Sequence, residues 1–338
     1  MTKSKETLEM NMARTTEFVR NKELENILKT LNAGIEGIAS SHYSTPKYPV
    51  IIIVGNARSG TTLALQWLAS TKYFSYPSNI LARFYGNPFF GALVQKALID
   101  EDLEGQIGFP KTFDFTSKLG KTGGALAPSE FWYFWRRFFE FGELQQLDDD
   151  TLQKTDTGPF LRGLAGIEAA FDKPLVLKGM IMNWHIPFLD KILDKVIFLN
   201  MERDRFFTAQ SLYGARNRFF GDTKKWYSFK PAEYSQLASR PPLEQIAGQI
   251  HFTNKAVRTG LNKVSENRKL TVSYEELCKS PRTIYKNIQE KLVLQGCEIS
   301  DIAPENAQPF PVSKEIHLDQ TDITAVNDAF KAYASQKP

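Results

Sequence analysis

The chain has 338 residues, of which 42% are hydrophobic and 24% are charged, a composition typical of a folded protein that excludes wholesale disorder. Its longest aliphatic run, residues 50–54, is far short of the ~20 apolar residues that span a bilayer. The 42 Lys and Arg residues and 38 Asp and Glu residues give a net charge of +4. This charge does not indicate nucleic-acid binding, although it is compatible with a local basic pocket for an anionic ligand.

The N-terminus and the cysteine and histidine content bear on location and metal binding. Residues 1–18 carry charges throughout and lack the apolar region of a secretory signal, so we expect a cytoplasmic protein. The 2 Cys residues are too few for a disulfide framework. The 4 His residues are scattered without the spacing of metal ligands, so no metal site is predicted.

Apolar residues recur every three or four positions from Leu8 to Ile38, a spacing that predicts a helix over about residues 5–40. Pro46 and Pro49, in the linker that follows, exclude its continuation. We therefore predict an N-terminal helical extension, residues 1–45, followed by a single α/β domain, residues 46–338.

Short apolar segments alternate with helical patterns through the rest of the chain. Strands are predicted at residues 50–54, 174–178, 195–202 and 269–274. Helices are predicted at residues 61–70, 130–142, 186–193, 206–218 and 275–292, the last interrupted at Pro281. This alternation predicts an α/β fold with a mostly parallel sheet flanked by helices on both faces.

The most informative segment follows the first strand and reads GNARSGTT, residues 55–62. A glycine-containing turn between a strand and a helix N-terminus presents backbone N–H groups to an anion. The segment nearly matches the phosphate-binding pattern of ATP and GTP enzymes, but Thr61 occupies the position of the required lysine. Ordinary nucleoside triphosphate chemistry is therefore disfavoured, and Arg58 can supply a cation from within the loop. A turn that only tightens a strand–helix junction is the alternative interpretation.

The string ARSGTTL after an apolar strand resembles the 5′-phosphosulfate-binding loop of sulfotransferases. These enzymes use 3′-phosphoadenosine 5′-phosphosulfate (PAPS) as the sulfonate donor. The resemblance implies a P-loop-like sulfotransferase fold and binding of the donor's 5′-phosphosulfate at the loop. The residues that it assigns to this role are Arg58, Ser59, Gly60, Thr61 and Thr62.

Three other strand ends carry the same resemblance. In sulfotransferases an Arg-Asp after a strand and a Ser eight positions beyond the Arg bind the donor's 3′-phosphate, and Arg203 and Ser211 have this spacing. A guanidinium at a strand end and a hydroxyl two helical turns later can converge on one phosphate. Lys178 ends another strand, where a cation would stabilise the leaving phosphate. Tyr274 corresponds to the family's tyrosine near the adenine. A local ion pair of Arg203, an exposed lysine and a core tyrosine are the ordinary structural alternatives.

The acceptor hydroxyl needs a general base. The tyrosylprotein branch has a carboxylate downstream of its loop, whereas residues 75–86 of this chain contain none. Two candidates remain. Glu130 begins an aromatic segment, and His185 follows the strand that ends at Lys178. We favour Glu130 over His185, with a carboxylate in a helix's first turn and a structural histidine as the respective alternatives.

The leading prediction is a sulfotransferase that moves a sulfonate group from PAPS to an acceptor hydroxyl without a metal. A carbohydrate is the first acceptor class, because the motifs resemble the carbohydrate and tyrosylprotein branches most. The alternatives are a P-loop kinase acting on a small molecule and a catalytically inactive relative that binds nucleotide. Neither a nucleic-acid partner nor a transmembrane segment is expected, and the sequence leaves a homodimer open.

Overall fold

A four-stranded parallel sheet forms the centre of the computed structural model, which describes residues 14–36 and 43–335. In this part of the chain the strands are β1 Val50–Gly55, β2 Ser117–Lys118, β3 Lys121–Thr122, β4 Val176–Lys178, β5 Val196–Glu202 and β6 Lys269–Ser273. The sheet has the order β4-β1-β5-β6, and β2 and β3 form a separate antiparallel hairpin. The carboxyl ends of the four parallel strands therefore meet at one edge of the sheet.

Helices connect the strands and cover both faces of the sheet. The α-helices in the described ranges are α1 Lys22–Ile35, α2 Thr61–Ser70, α3 Pro88–Gln95, α4 Trp132–Phe138, α5 Asp149–Lys154, α6 Thr157–Phe171, α7 Ile186–Ile192, α8 Arg205–Phe220, α9 Tyr234–Leu237, α10 Pro242–Leu261, α11 Tyr274–Lys279, α12 Pro281–Val293 and α13 Gln320–Ser335. Short 3₁₀ turns lie at Thr16–Phe18, Leu81–Phe84, Met180–Met182, Glu266–Arg268 and Pro304–Ala307, and a π-helical turn at Lys96–Asp100 extends α3.

Strand β1 is completely buried, and its alternate residues enter two different cores. Ile52 packs with side chains of α4, α6 and α7 on one face of the sheet. Ile51 and Ile53 pack with side chains of α2, α11 and α12 on the other face. Because both faces are covered, the strand is apolar throughout instead of alternating with polar residues. The predicted α/β fold, a parallel sheet flanked by helices, is confirmed.

The N-terminal helix is shorter than predicted. Helix α1 begins at Lys22, where the side chain of Asn21 accepts a hydrogen bond from the Leu24 backbone N–H at 3.0 Å. Before it, the Thr15 N–H donates to the Phe219 carbonyl at 3.0 Å, and Phe18 is buried against Phe219. These contacts with α8 compete with helix formation, so the prediction of a continuous helix was wrong over residues 14–21. The remainder of the prediction, residues 5–13 and 37–40, lies outside the described residues, and the division into residues 1–45 and 46–338 stays a prediction.

The aromatic helix is also shorter than the predicted residues 130–142. Phe131 adopts a left-handed conformation with φ of 56°, so α4 begins only at Trp132. Phe139 is extended and ends the helix. Glu130 therefore lies in the connection before the helix and not in its first turn, which removes the helix-dipole explanation for this carboxylate.

Candidate active site

A cavity of about 2110 Å³ lies over the carboxyl ends of the parallel strands. Its walls include the loop after β1, the last residue of β4, the residue after β5 and the first residue after β6. The residues singled out in the sequence that line it are Arg58, Gly60, Thr61, Thr62, Glu130, Lys178, Arg203, Ser211 and Tyr274. The sheet topology thus brings together residues that are far apart in the chain.

The loop after β1 needs two glycines for its shape. Gly55 has φ of 127°, and a Cβ there would lie 2.4 Å from the Met201 carbonyl oxygen of the neighbouring strand. Gly60 has φ of 91°, and a Cβ there would lie 2.7 Å from the Tyr274 ring. No side chain caps the N-terminus of α2, which begins directly after Gly60. The loop therefore presents backbone N–H groups and the positive end of a ten-residue helix to the cavity.

The hydroxyls of Ser59 and Thr61 are both engaged in hydrogen bonds within the protein. The Ser59 hydroxyl, which is buried, donates to the Asn56 carbonyl at 2.8 Å and does not line the cavity. The Thr61 hydroxyl donates to the Met180 sulfur at 3.2 Å. Ser59 and Thr61 can contact an anion through their backbone N–H groups. The Thr62 hydroxyl accepts a hydrogen bond from Lys178.

A side chain that the sequence did not single out fixes the start of the loop. Asn183, completely buried, accepts a hydrogen bond from the Gly55 N–H at 3.1 Å and donates one to the Gly55 carbonyl at 2.8 Å. This paired contact joins the chain after β4 to the end of β1. No sequence pattern reveals it, because the two residues are 128 positions apart.

Arg58, Arg203, Ser211 and Tyr274 form one cluster. The Arg58 Nε donates to the Ser211 hydroxyl at 3.0 Å, and the Arg203 guanidinium donates to the Arg58 carbonyl at 3.3 Å. The Arg203 guanidinium carbon also lies 4.6 Å from the centre of the Tyr274 ring. Burial lowers the pKa of Arg58, and Arg203 adds a repulsive contribution. The resemblance assigned Arg58 and Ser211 to opposite ends of the donor, whereas here they are in direct contact.

One buried donor in this cluster lacks a partner. The Arg203 Nε is buried and makes no hydrogen bond with any residue in the ranges 14–36 and 43–335. An unpaired buried N–H is costly, and a phosphate oxygen would satisfy it. The contact of Arg203 with Tyr274 orients the guanidinium, and the predicted proximity of Tyr274 to an adenine ring stays a prediction.

A lysine and a carboxylate form a second cluster beside the loop. Lys178, only 5% exposed, donates from Nζ to the Thr62 hydroxyl at 3.0 Å and forms an ion pair with Glu130. The other Glu130 oxygen accepts a hydrogen bond from the Trp132 indole N–H. At Gly120, in the turn between β2 and β3, a Cβ would lie 2.9 Å from a Glu130 oxygen. The carboxylate is therefore held from three sides, and the sequence revealed neither Trp132 nor Gly120 as its neighbours.

His185 does not join this cluster. It is 3% exposed, does not line the cavity and occupies the position before α7. Its Nε2 accepts a hydrogen bond from the Leu147 N–H at 3.0 Å. Burial lowers its pKa, while the contact of Nε2 with the Gln145 carbonyl at 3.0 Å and the charge of Asp149 oppose that shift. These contacts support a structural role for the ring.

Another tyrosine closes the cavity wall near the β2–β3 turn. The Tyr227 hydroxyl donates to the Leu119 carbonyl at 3.2 Å, and burial raises the pKa of Tyr227 to about 12. Tyr227 thus anchors the turn that contacts Glu130 and stays neutral at physiological pH.

The described ranges contain neither a metal-binding cluster nor a helix able to cross a bilayer. Within residues 14–36 and 43–335, no group of three or more His, Cys, Asp and Glu side chains is arranged to hold a metal ion. Over the same ranges, no helix combines the length and the apolar character that crossing a bilayer requires.

The fold and the loop define a parallel α/β protein with a helix N-terminus and two arginines beside a cavity at its strand ends. The sequence model described as "Sulfotransferase family" matches residues 49–297, and the chain therefore belongs to the sulfotransferase family. No curated protein matches the chain in sequence.

Solved structures with the same fold include sulfotransferase STF1 from Mycobacterium tuberculosis H37Rv, which is 14% identical, with a TM-score of 0.54 and coverage of 90% of this chain and 81% of that one. Sulfotransferase STF9 from Mycobacterium avium is similar at 14% identity, with a TM-score of 0.49 and coverage of 94% and 76%. At such identities the likeness to STF1 supports the fold alone.

Proposed function

We propose that the protein transfers a sulfonate group from PAPS to a hydroxyl of an acceptor, with a carbohydrate as the acceptor class. Membership of the sulfotransferase family supports sulfonate transfer in general. The observation that carries the proposal is the position of Lys178, whose ammonium group contacts both the loop hydroxyl of Thr62 and the carboxylate of Glu130. A cation for the leaving group and a base for the acceptor are thus held beside one anion-binding loop.

The donor's phosphates have suitable partners in the first cluster. In the proposed complex the loop N–H groups and Arg58 bind the 5′-phosphosulfate, and Arg203 and Ser211 bind the 3′-phosphate. The unpaired Arg203 Nε supports this, and both arginines line the cavity. A doubly phosphorylated nucleotide would neutralise two cations that lie close together in the free protein.

The proposed step transfers a proton from the acceptor to Glu130 and develops negative charge on the departing bisphosphate. The acceptor oxygen attacks sulfur, and the bond from sulfur to the oxygen that bridges it to the 5′-phosphate breaks. The acceptor's proton passes to Glu130. Negative charge appears on the departing adenosine 3′,5′-bisphosphate, where Lys178 stabilises it. Lys178 contacts Glu130 in the free protein. As the carboxylate takes up the proton and loses its charge, the lysine ammonium group can turn to the negative charge on the bisphosphate.

The carbohydrate class rests on the motifs and on the cavity wall. The motifs resemble those of the carbohydrate and tyrosylprotein branches. Trp132, Tyr227 and Phe229 line the cavity near Glu130 and offer flat apolar faces of the kind on which a sugar ring can pack.

A kinase reaction is less well supported by the same site. Thr61 stands at the position of the lysine that nucleoside triphosphate enzymes need, and its hydroxyl is bonded to the Met180 sulfur. The cation Lys178 approaches the loop from a different strand.

Titration calorimetry with adenosine 3′,5′-bisphosphate and, separately, with ATP and magnesium tests the donor. We expect the bisphosphate to bind more tightly, and tighter binding of ATP would instead favour the kinase. Transfer of radiolabelled sulfonate from PAPS to a panel of sugars and small phenols tests the reaction. Tight bisphosphate binding without transfer to any member of the panel would support a catalytically inactive relative.

A further inference from the structure

The wall of the cavity beyond the donor residues carries three cations that we call the basic wall, namely Arg14, Lys121 and Arg136. Among residues 14–36 and 43–335, no carboxylate lies within ion-pair distance of any of them. They come from the segment before α1, from β3 and from α4 respectively. Three segments that are distant in the chain thus place positively charged side chains on the wall of one cavity.

An aromatic pair holds two of these cations in place. The rings of Phe18 and Phe219 have centres 4.9 Å apart. The Arg14 guanidinium carbon lies 5.1 Å from the centre of the Phe219 ring, and Lys121 Nζ lies 5.4 Å from the centre of the Phe18 ring. Such contacts are worth about 0.5–1 kcal/mol at exposed sites. They fix the direction of the cations without neutralising their charge.

The basic wall is adjacent to the proposed reacting group. Arg136 lies four residues after Trp132 on α4, so the two side chains lie on the same face of the helix, one turn apart. The Trp132 indole is bonded to Glu130. Lys121 directly follows Gly120, whose backbone packs against the same carboxylate. Lys121 thus lies beside the Glu130 carboxylate, whose charge opposes the lowering of the Lys121 pKa, while Arg136 lies one helical turn beyond Trp132.

Three neighbouring cations, by contrast, have acidic partners. Arg20 pairs with Glu25 at 3.2 Å, and Arg218 pairs with Glu17 at 2.8 Å. Glu17 also pairs with Lys118 at 3.0 Å. These three cations are thus paired, whereas the basic wall and Arg83, which also lines the cavity, have no ion pair among the described residues.

The surroundings lower the pKa of each member of the wall. Burial lowers the pKa of Arg14, Lys121 and Arg136, and the positive charge of Arg20 lowers all three further. A bound anion would reverse both effects, since it would replace lost hydration and offset the repulsion between like charges.

We propose that the acceptor carries, in addition to its hydroxyl, an oxyanion group such as a carboxylate, sulfate or phosphate, and that the basic wall binds this group. This inference rests on the proposed function, because it names a further feature of the same acceptor. The hydroxyl lies at Glu130 while Arg136 and Lys121 hold the oxyanion through charge-assisted hydrogen bonds. The wall selects an anionic acceptor and fixes its orientation.

The test uses the full chain saturated with adenosine 3′,5′-bisphosphate. Calorimetry compares glucose with glucuronate, glucose 6-sulfate and glucose 6-phosphate, and phenol with 4-hydroxybenzoate. We expect at least one anionic member to bind about tenfold or more tighter than its neutral parent, the effect of a hydrogen bond to a charged group. The three anionic sugars distinguish carboxylate, sulfate and phosphate.

Variants locate the effect. In Lys121→Gln/Arg136→Gln the preference for the anion should disappear while bisphosphate affinity stays unchanged, and Arg136→Lys should restore part of it. Arg282→Gln is the matched control, since Arg282 pairs with Asp301 on the surface and does not line the cavity. Equal binding of neutral and anionic members, or a preference that survives the double substitution, would overturn the inference. Absence of bisphosphate binding by the unsubstituted protein would instead overturn the proposed function.

Discussion

The two ends of the cavity are built differently. The donor end consists of residues at the carboxyl ends of β1, β4, β5 and β6 and the loop after β1, all within the range that the sulfotransferase family model matches. The acceptor end combines the segment before α1, the β2–β3 hairpin and α4, and the first of these precedes the matched range. Sheet topology fixes the first end, while connecting segments form the second. We infer that donor chemistry is constrained by the fold and that acceptor choice is set by the connections.

The pairing of charged side chains also differs between the two ends. At the donor end Lys178 is paired with Glu130, and Arg58 is bonded to Ser211. At the acceptor end Arg14, Lys121 and Arg136 have no acidic partner among the described residues. Lys178 is thus neutralised before a ligand arrives, whereas Arg58 and Arg203 at the donor end and the three cations at the acceptor end have no acidic partner among the described residues.

Substitution of the proposed base should have the largest effect. In Glu130→Gln the side chain keeps its size and can still accept from Trp132, but it can no longer take up the proton. We expect kcat for sulfonate transfer to fall about 10²–10⁴-fold with bisphosphate affinity nearly unchanged. Trp132→Phe, which removes only the indole donor, is the control and should fall less. If His185→Gln lost as much activity as Glu130→Gln, the assignment of the base would be wrong.

Removal of the proposed leaving-group cation should rank second. Lys178→Met preserves much of the side-chain volume and removes the charge, so we expect kcat to fall about 10²–10³-fold, as for other groups that stabilise charge in the transition state. Binding of adenosine 3′,5′-bisphosphate should remain mostly intact. The double variant Glu130→Gln/Lys178→Met should lose less than the product of the single losses, because the two groups act as a unit. Multiplicative losses would show that they act independently.

Arg203 should affect binding more than turnover. Arg203→Ala removes a charged donor at the proposed 3′-phosphate site, so we expect bisphosphate affinity to weaken by about 1.5–3 kcal/mol, with a smaller loss of kcat at saturating donor. Calorimetry and steady-state kinetics measure the two quantities. Arg258→Ala is the control, since Arg258 pairs with Glu202 at the end of β5 and does not line the cavity. Equal losses of binding and turnover in both the Arg203 and Lys178 variants would contradict the division of roles.

Local sequence predicted the strand, loop and helix at the donor end because their signals are local. The β-branched run of β1, the glycine loop and the helix from Thr61 to Ser70 are contiguous, and that helix has the predicted bounds. The proximity of Arg203 and Ser211 to the loop followed from the rule that parallel strands end at one edge.

The rest of the site depends on contacts between distant segments. Glu130 and Lys178 are 48 positions apart, and nothing near Glu130 in sequence reveals that the lysine reaches it. Glu130 and His185 looked alike as candidate bases, since a single ionisable residue beside an apolar segment does not reveal its burial. Residues 14–21 were wrongly predicted as part of a continuous helix because Phe18 packs on Phe219, a residue 201 positions away in chain order, and this tertiary contact overrides helix periodicity.

The smallest effect on activity is expected at His185, where stability should change instead. Burial lowers the pKa of His185 in the folded state below the ordinary value of 6.5, so between these two values the unfolded chain binds more protons than the folded one. The contribution of His185 to stability is therefore full above pH 6.5 and declines as the pH falls toward the folded-state pKa.

In His185→Gln this part of the pH dependence should vanish while kcat stays close to that of the unsubstituted protein. Urea unfolding at pH 5.5 and 7.5 measures it, with His251→Gln as the comparison, because burial also lowers the pKa of His251 and its substitution should remove a separate part of the pH dependence. An unchanged pH dependence in His185→Gln would assign the effect to another group, and a collapse of kcat would return His185 to the catalytic site.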